Sequence, residues 1–162
     1  MKKFSWITLV EVLVVIIIVW ILLFMTLYLG RDYLRTVQVQ TDREYFTSFY
    51  SQVLATARTS NYFQSLPYDA LYITFSSWSV MAQTNDALIL WSYELDYGTL
   101  VFSWWVAPEI IVEPYSLGCE IYLWFESTDR VDFTYISALN TSEFCYHIDA
   151  ATCKMISLWC VD

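Results

Sequence analysis

Between residues 6 and 29 the chain reads WITLVEVLVVIIIVWILLFMTLYL, and Glu11 is the one acidic or basic side chain in it. As a helix at about 1.5 Å per residue, this run extends about 36 Å, enough to cross a hydrocarbon layer of about 30 Å. A segment this apolar is stable in lipid or inside an assembly, not in water. A secretory signal peptide has a shorter apolar region and then small residues at a cleavage site. Here the run continues, and no A-x-A-like site follows it. Lys2 and Lys3 on the short leading side place the N-terminus in the cytoplasm and residues 31–162 outside.

Composition agrees with one membrane segment plus one globular part. The 162 residues suffice for a single ordinary domain. Hydrophobic residues make up 57% and charged residues 15%, which excludes disorder. Net charge is −9, and residues 61–162 contain only Arg130 and Lys154 against 13 acids. Such a surface repels phosphate backbones, so direct nucleic-acid binding is disfavoured.

Glu11 carries the chemical information of the apolar run. A carboxylate within a lipid-spanning helix costs about 2–3 kcal/mol at the centre, and such acids are usually paired. No Lys, Arg or His lies between Thr8 and Gly30. The counter-charge is therefore expected from another chain, from the headgroup region, or from an amine newly created at the chain's own terminus.

The basic stretch Lys2-Lys3-Phe4-Ser5, the motif Ile7-Thr8-Leu9-Val10-Glu11-Val12 and the apolar VVIIIVWILL of 14–23 together resemble the type IV pilin and pseudopilin family. The resemblance implies a leader at 1–6, cleavage by a prepilin peptidase between Trp6 and Ile7, and an N-methylated Ile7. It also implies an inner-membrane protein that polymerises, with Glu11 meeting the terminal amine of a neighbouring subunit and Thr8 beside it in the assembly motif. The partners implied are other pilin or pseudopilin subunits, the peptidase, an inner-membrane assembly platform and lipid. The β-rich tail looks most like minor, H-type pseudopilins.

One departure stands out. The family's peptidase cuts after glycine, and its apolar stretch carries a second glycine; these positions hold Trp6 and Trp20. The chain has three glycines and eight tryptophans, together the roughly eleven glycines an average chain of this length would contain. A codon UGA read as glycine in the organism, but rendered as tryptophan, accounts for all three observations. Trp104-Trp105, before Val106-Ala107-Pro108, would then form a Gly-Gly turn.

Beyond Gly30 the helix is expected to continue. Residues 31–59 contain no proline or glycine. Leu34, Val37, Tyr45, Phe46, Phe49, Val53, Leu54 and Ala57 form one stripe, with Arg35, Gln38, Asp42, Arg43 and Gln52 off it. A break at Gly30 with a separate soluble helix is the alternative. From Ala70 onward short β-branched and aromatic runs predict strands at 71–76, 87–93, 99–103, 110–112, 120–125, 131–136, 144–148 and 154–158. No helical stripe lies between them, so the sheet should be mainly antiparallel. The expected fold is α+β, a long N-terminal helix packed on a β-sheet head, divided as 1–6 leader, 7–29 membrane or filament-core helix, 30–60 amphipathic continuation and 61–162 head.

Cys119, Cys145, Cys153 and Cys160 all lie in the outer region, where an even number suits one or two disulfides, and three full pairings exist. Pairing Cys145 or Cys153 with Cys160 would tie down the tail. The spacing lacks the paired C-x-x-C of a zinc site. His147, between Tyr146 and Ile148, reads as a strand side chain, and there is no G-x-S-x-G, H-E-x-x-H or phosphate loop. Glu126, Asp129 and Asp132 offer oxygens for calcium but match no EF-hand and read as a solvated acidic loop. Asn140-Thr141-Ser142 is a weak glycosylation sequon. Neither an enzyme, a cofactor nor a metal is expected. The resemblance favours a structural filament subunit; an unprocessed single-span receptor or adhesin with a small β-rich ectodomain is the alternative, and an anchored hydrolase would need His147 and an acid converging on a nucleophile.

Overall fold

The computed structural model describes residues 9–63, 66–103, 106–158 and 160. The leader, Trp6, Ile7, Thr8 and the Trp104-Trp105 pair lie outside them. The chain divides into two compact units, one up to Val37 and one from Gln38 onward. A single helix, α1 (Leu9–Thr59), runs through both and continues without interruption at Gly30. No separate soluble helix begins there.

Within the first unit, α1 buries none of its apolar side chains, and every described residue from Leu9 to Leu29 is exposed. Thr26 turns its hydroxyl back onto the carbonyls of Leu22 and Leu23, so its polar group is satisfied within the helix. Asp32 and Arg35, 4.0 Å apart one turn from each other, mark the polar end of the segment.

The second unit is the head. After α1 come β1 (Tyr62–Phe63), β2 (Leu66–Pro67), β3 (Leu71–Phe75), β4 (Ser79–Thr84), β5 (Ile89–Glu94) and β6 (Gly98–Phe102). Then follow β7 (Glu109–Val112), β8 (Glu120–Leu123), β9 (Glu126–Thr128), β10 (Arg130–Ser137), β11 (Glu143–Asp149) and β12 (Met155–Leu158). Strands β1 and β2 pair as a short ribbon; the others form a six-stranded sheet, β5-β4-β3-β7-β8-β9, and a four-stranded sheet, β12-β11-β10-β6. Every pairing among the described residues is antiparallel. The molecule is α+β.

Period-two patterning explains the sheets. In β3 Leu71, Ile73 and Phe75 point inward, and in β10 Val131, Phe133 and Tyr135 do the same while the alternate residues are half-buried. Phe46, Tyr50, Val53, Leu54 and Ala57 of α1 are buried with them in one core. Aromatic rings dominate its centre: Phe46 meets Phe133 and Tyr146 edge-on at 6.2 and 6.0 Å, and Phe133 stacks on Tyr146 at 5.5 Å.

Three expectations are corrected. The buried helix face is rotated from the predicted stripe: Tyr45 is exposed, whereas Asp42, placed off the stripe, is buried. Strand β4 was not foreseen: its inward residues Val80, Ala82 and Thr84 do alternate with Ser79, Met81 and Gln83, but Ser79, Met81, Ala82 and Gln83 are not strong β-formers and dilute the signal of Val80 and Thr84. The run 120–125 is not one strand: β8 ends at Leu123, and Trp124-Phe125 turn the chain into β9, which takes Glu126 out of the expected acidic loop.

Gly98 opens β6 because Tyr135 of the neighbouring β10 lies across it. A Cβ at this position would overlap the Tyr135 ring, which is fully buried and held by a hydrogen bond to Asp42. Gly98→Ala is therefore expected to destabilise the head by about 1–3 kcal/mol, read as a lower urea midpoint.

Candidate functional site: an exposed apolar segment and a buried carboxylate

Glu11 lies in the first turn of α1, and its side chain is exposed. Around and beyond it, Val10, Val12, Leu13, Val14, Val15, Ile16, Ile17 and Ile18 are all at least partly open on every side of the helix. A helix apolar all round is a membrane span or the buried core of an assembly. This helix is long and apolar enough to cross a bilayer. Trp6, Ile7 and Thr8, the other residues of the predicted processing and assembly motif, lie outside the described residues.

In the head, the feature sequence reasoning missed is Asp42. Its side chain is 4% exposed. Tyr93 Oη donates to Oδ1 at 2.5 Å and Tyr135 Oη donates to Oδ2 at 2.7 Å. The backbone N–H of Tyr97 donates to Oδ2 at 3.1 Å, and that of Asp96 reaches Oδ1 at 3.4 Å. Tyr93 belongs to β5 of the six-stranded sheet and Tyr135 to β10 of the four-stranded one. One helical carboxylate thus joins both sheets and the turn between β5 and β6. Buried acids persist only with such a set of donors. No sequence pattern marks it: the donors lie 51 to 93 positions away along the chain.

The phenols of the core respond to pH. Burial pushes Tyr146 up to about 12. Burial raises Tyr50, whose Oη donates to the Cys153 carbonyl, and burial together with the Asp42 hydrogen bond and charge raises Tyr135. For each group the folded pKa exceeds the unfolded value near 10, so its contribution to stability is complete below about pH 10 and is lost as pH climbs above it. Each of these three buried phenols removes up to about 1.4 kcal/mol per pH unit in that range. Urea midpoints should hold between about pH 7 and 9 and fall steeply by about pH 11, in step with tyrosinate absorbance.

The cysteines form two disulfides, Cys119–Cys153 and Cys145–Cys160. The second is one of the two tail pairings considered from sequence, and it fastens β12 to β11. His147 stands on β11 opposite Asp132 and Ile156, and among the described residues its buried Nδ1 has no hydrogen-bond partner. Glu126, Asp129 and Asp132 do not converge: Glu126 is on β9, and Asp132, on β10, pairs with Arg130 at 2.8 Å. Among the described residues no three His, Cys, Asp or Glu side chains are grouped to hold a metal. Asn140 sits in the β10–β11 turn, its Oδ1 accepting from the Ser142 N–H at 3.2 Å. Compared with protein-family models, curated proteins and solved structures, this chain matches none.

Proposed function

We propose that this protein is the structural subunit of a type IV pilus or type II secretion pseudopilus. It is held in the inner membrane by the first part of α1, cut between Trp6 and Ile7, and polymerised through that helix. The observation that carries the reading is one continuous helix whose residues 9–29, apolar apart from Glu11 and Thr26, are exposed on all sides, while its last turns are built into an α+β head. Around this stand the motif at 7–12 and two disulfides, which suit a head outside the cytoplasm. Its partners are other subunits, a prepilin peptidase, an assembly platform and lipid. Work is done by packing, with Glu11 setting register against a neighbour's terminal amine; a low-dielectric ion pair specifies register better than it stabilises.

Glu11→Gln tests this. Filaments counted by electron microscopy should fall at least about tenfold, the effect of losing about 1.4 kcal/mol per contact, while the amount of monomer in the membrane fraction stays constant. Unchanged filament yield would overturn the assembly role. Trp6, bulky where the family's peptidase expects glycine, favours a second reading: an uncut single-span receptor or adhesin. A mature chain beginning at Ile7 supports the subunit; a mature chain retaining residues 1–6 supports the receptor.

A further inference from the structure

Strands β8 and β9 are joined by two residues. Leu123 pairs with Glu126, leaving Trp124 and Phe125 as the whole connection. Two-residue hairpin loops adopt the primed turns, whose backbone twist matches that of the strands. Trp124 has φ 64°, and Phe125 is not among the positive-φ residues. That combination is the type II′ turn, whose first central position calls for glycine because a Cβ there meets the backbone. An indole-bearing residue is among the least suited to it. Packing offers no compensation, since Trp124 is 73% exposed.

Two other tryptophans sit where their rings gain as little. Trp78 occupies the tight turn between β3 and β4, flanked by Ser76, Ser77 and Ser79, and is 66% exposed. Turns of this kind are the habitat of Gly, Asn, Asp and Ser. Trp20 lies in the middle of the apolar part of α1 and is 68% exposed, whereas tryptophan in membrane helices belongs at the two interfaces. Trp91, by contrast, packs against the core, and nothing in its surroundings argues against tryptophan.

We infer that positions 20, 78 and 124 are glycine in the cell that makes this protein. Their codon is then UGA, decoded there by a glycine-charged tRNA. The scarcity of glycine and the excess of tryptophan are two sides of one substitution, and at position 124 the backbone already has the conformation that glycine supplies.

The native protein decides the matter. Tandem mass spectrometry of peptides spanning 78 and 124 should read glycine at both, and the gene should carry UGA at 20, 78 and 124. Tryptophan in the peptides, or UGG in the gene, overturns the inference. A second test needs only the recombinant chain with tryptophan at 124. Trp124→Gly should raise the folded-to-unfolded ratio about five- to thirtyfold, because the left-handed position no longer carries a Cβ. Trp124→Ala should leave the ratio nearly unchanged, since alanine keeps that Cβ. Equal effects of the two variants, or a loss with glycine, would overturn the conformational basis.

Discussion

Reducing both disulfides should unfold the head at physiological temperature. Cys119 and Cys153 are 34 residues apart and Cys145 and Cys160 are 15 apart. Loop-closure entropy makes these links worth about 4 and about 3 kcal/mol respectively. Together they rival the entire stability of an ordinary domain, about 5–15 kcal/mol. Guanidinium unfolding of the full chain in detergent, with and without a phosphine reductant, should show the midpoint collapsing on reduction. The double variant Cys119→Ala/Cys153→Ala should lose somewhat more than Cys145→Ala/Cys160→Ala. A reduced head that keeps its midpoint would show that burial alone suffices.

Asp42→Ala should be the most damaging single substitution in the head. It strands the Tyr135 hydroxyl and the Tyr97 amide without an acceptor, while Tyr93 Oη keeps only its 3.1 Å bond to the residue 42 carbonyl. Each buried donor left unsatisfied costs about 1–3 kcal/mol, so a loss on the order of 4 kcal/mol is expected. Tyr135→Phe removes one donor and should cost less, about 1–3 kcal/mol. Combined with Asp42→Ala it should add little, because the hydroxyl that the first change strands is the one the second removes. Chemical denaturation of the four species closes this cycle. Strict additivity would mean that Asp42 and Tyr135 do not act on each other.

The contrast between what was legible in the residues and what was not follows from the range of the interactions. The helix end near residue 59 and most strands were readable, because periodicity and breakers act over a few positions. Asp42 was read as a solvent residue; its burial is decided by Tyr93, Tyr97 and Tyr135, none of them local. The turn at Trp124-Phe125 was absorbed into a strand, since two aromatic residues speak for strand and no turn residue stood there to object. The pairing of four cysteines could not be read from order: tying down the tail pointed to a bond at Cys160 but left Cys145 and Cys153 as alternative partners. Of the motif at 7–12, Glu11 falls on the helix, while Ile7 and Thr8 lie outside the described residues.

Arg58 bears on how the sulfurs find one another. From the last turn of α1 its Nη2 donates to the carbonyls of Leu117 at 2.7 Å and Thr152 at 2.6 Å, each next or nearly next to a cysteine of the Cys119–Cys153 pair. The Cys119 amide meets the Ala150 carbonyl at 2.8 Å in the same place. These contacts belong to the folded, oxidised head, so they act on connectivity through thiol–disulfide exchange, by favouring the isomer in which both carbonyls reach the guanidinium. Scrambled connectivity is then a fault to be sought in variants of an arginine as well as in variants of the cysteines.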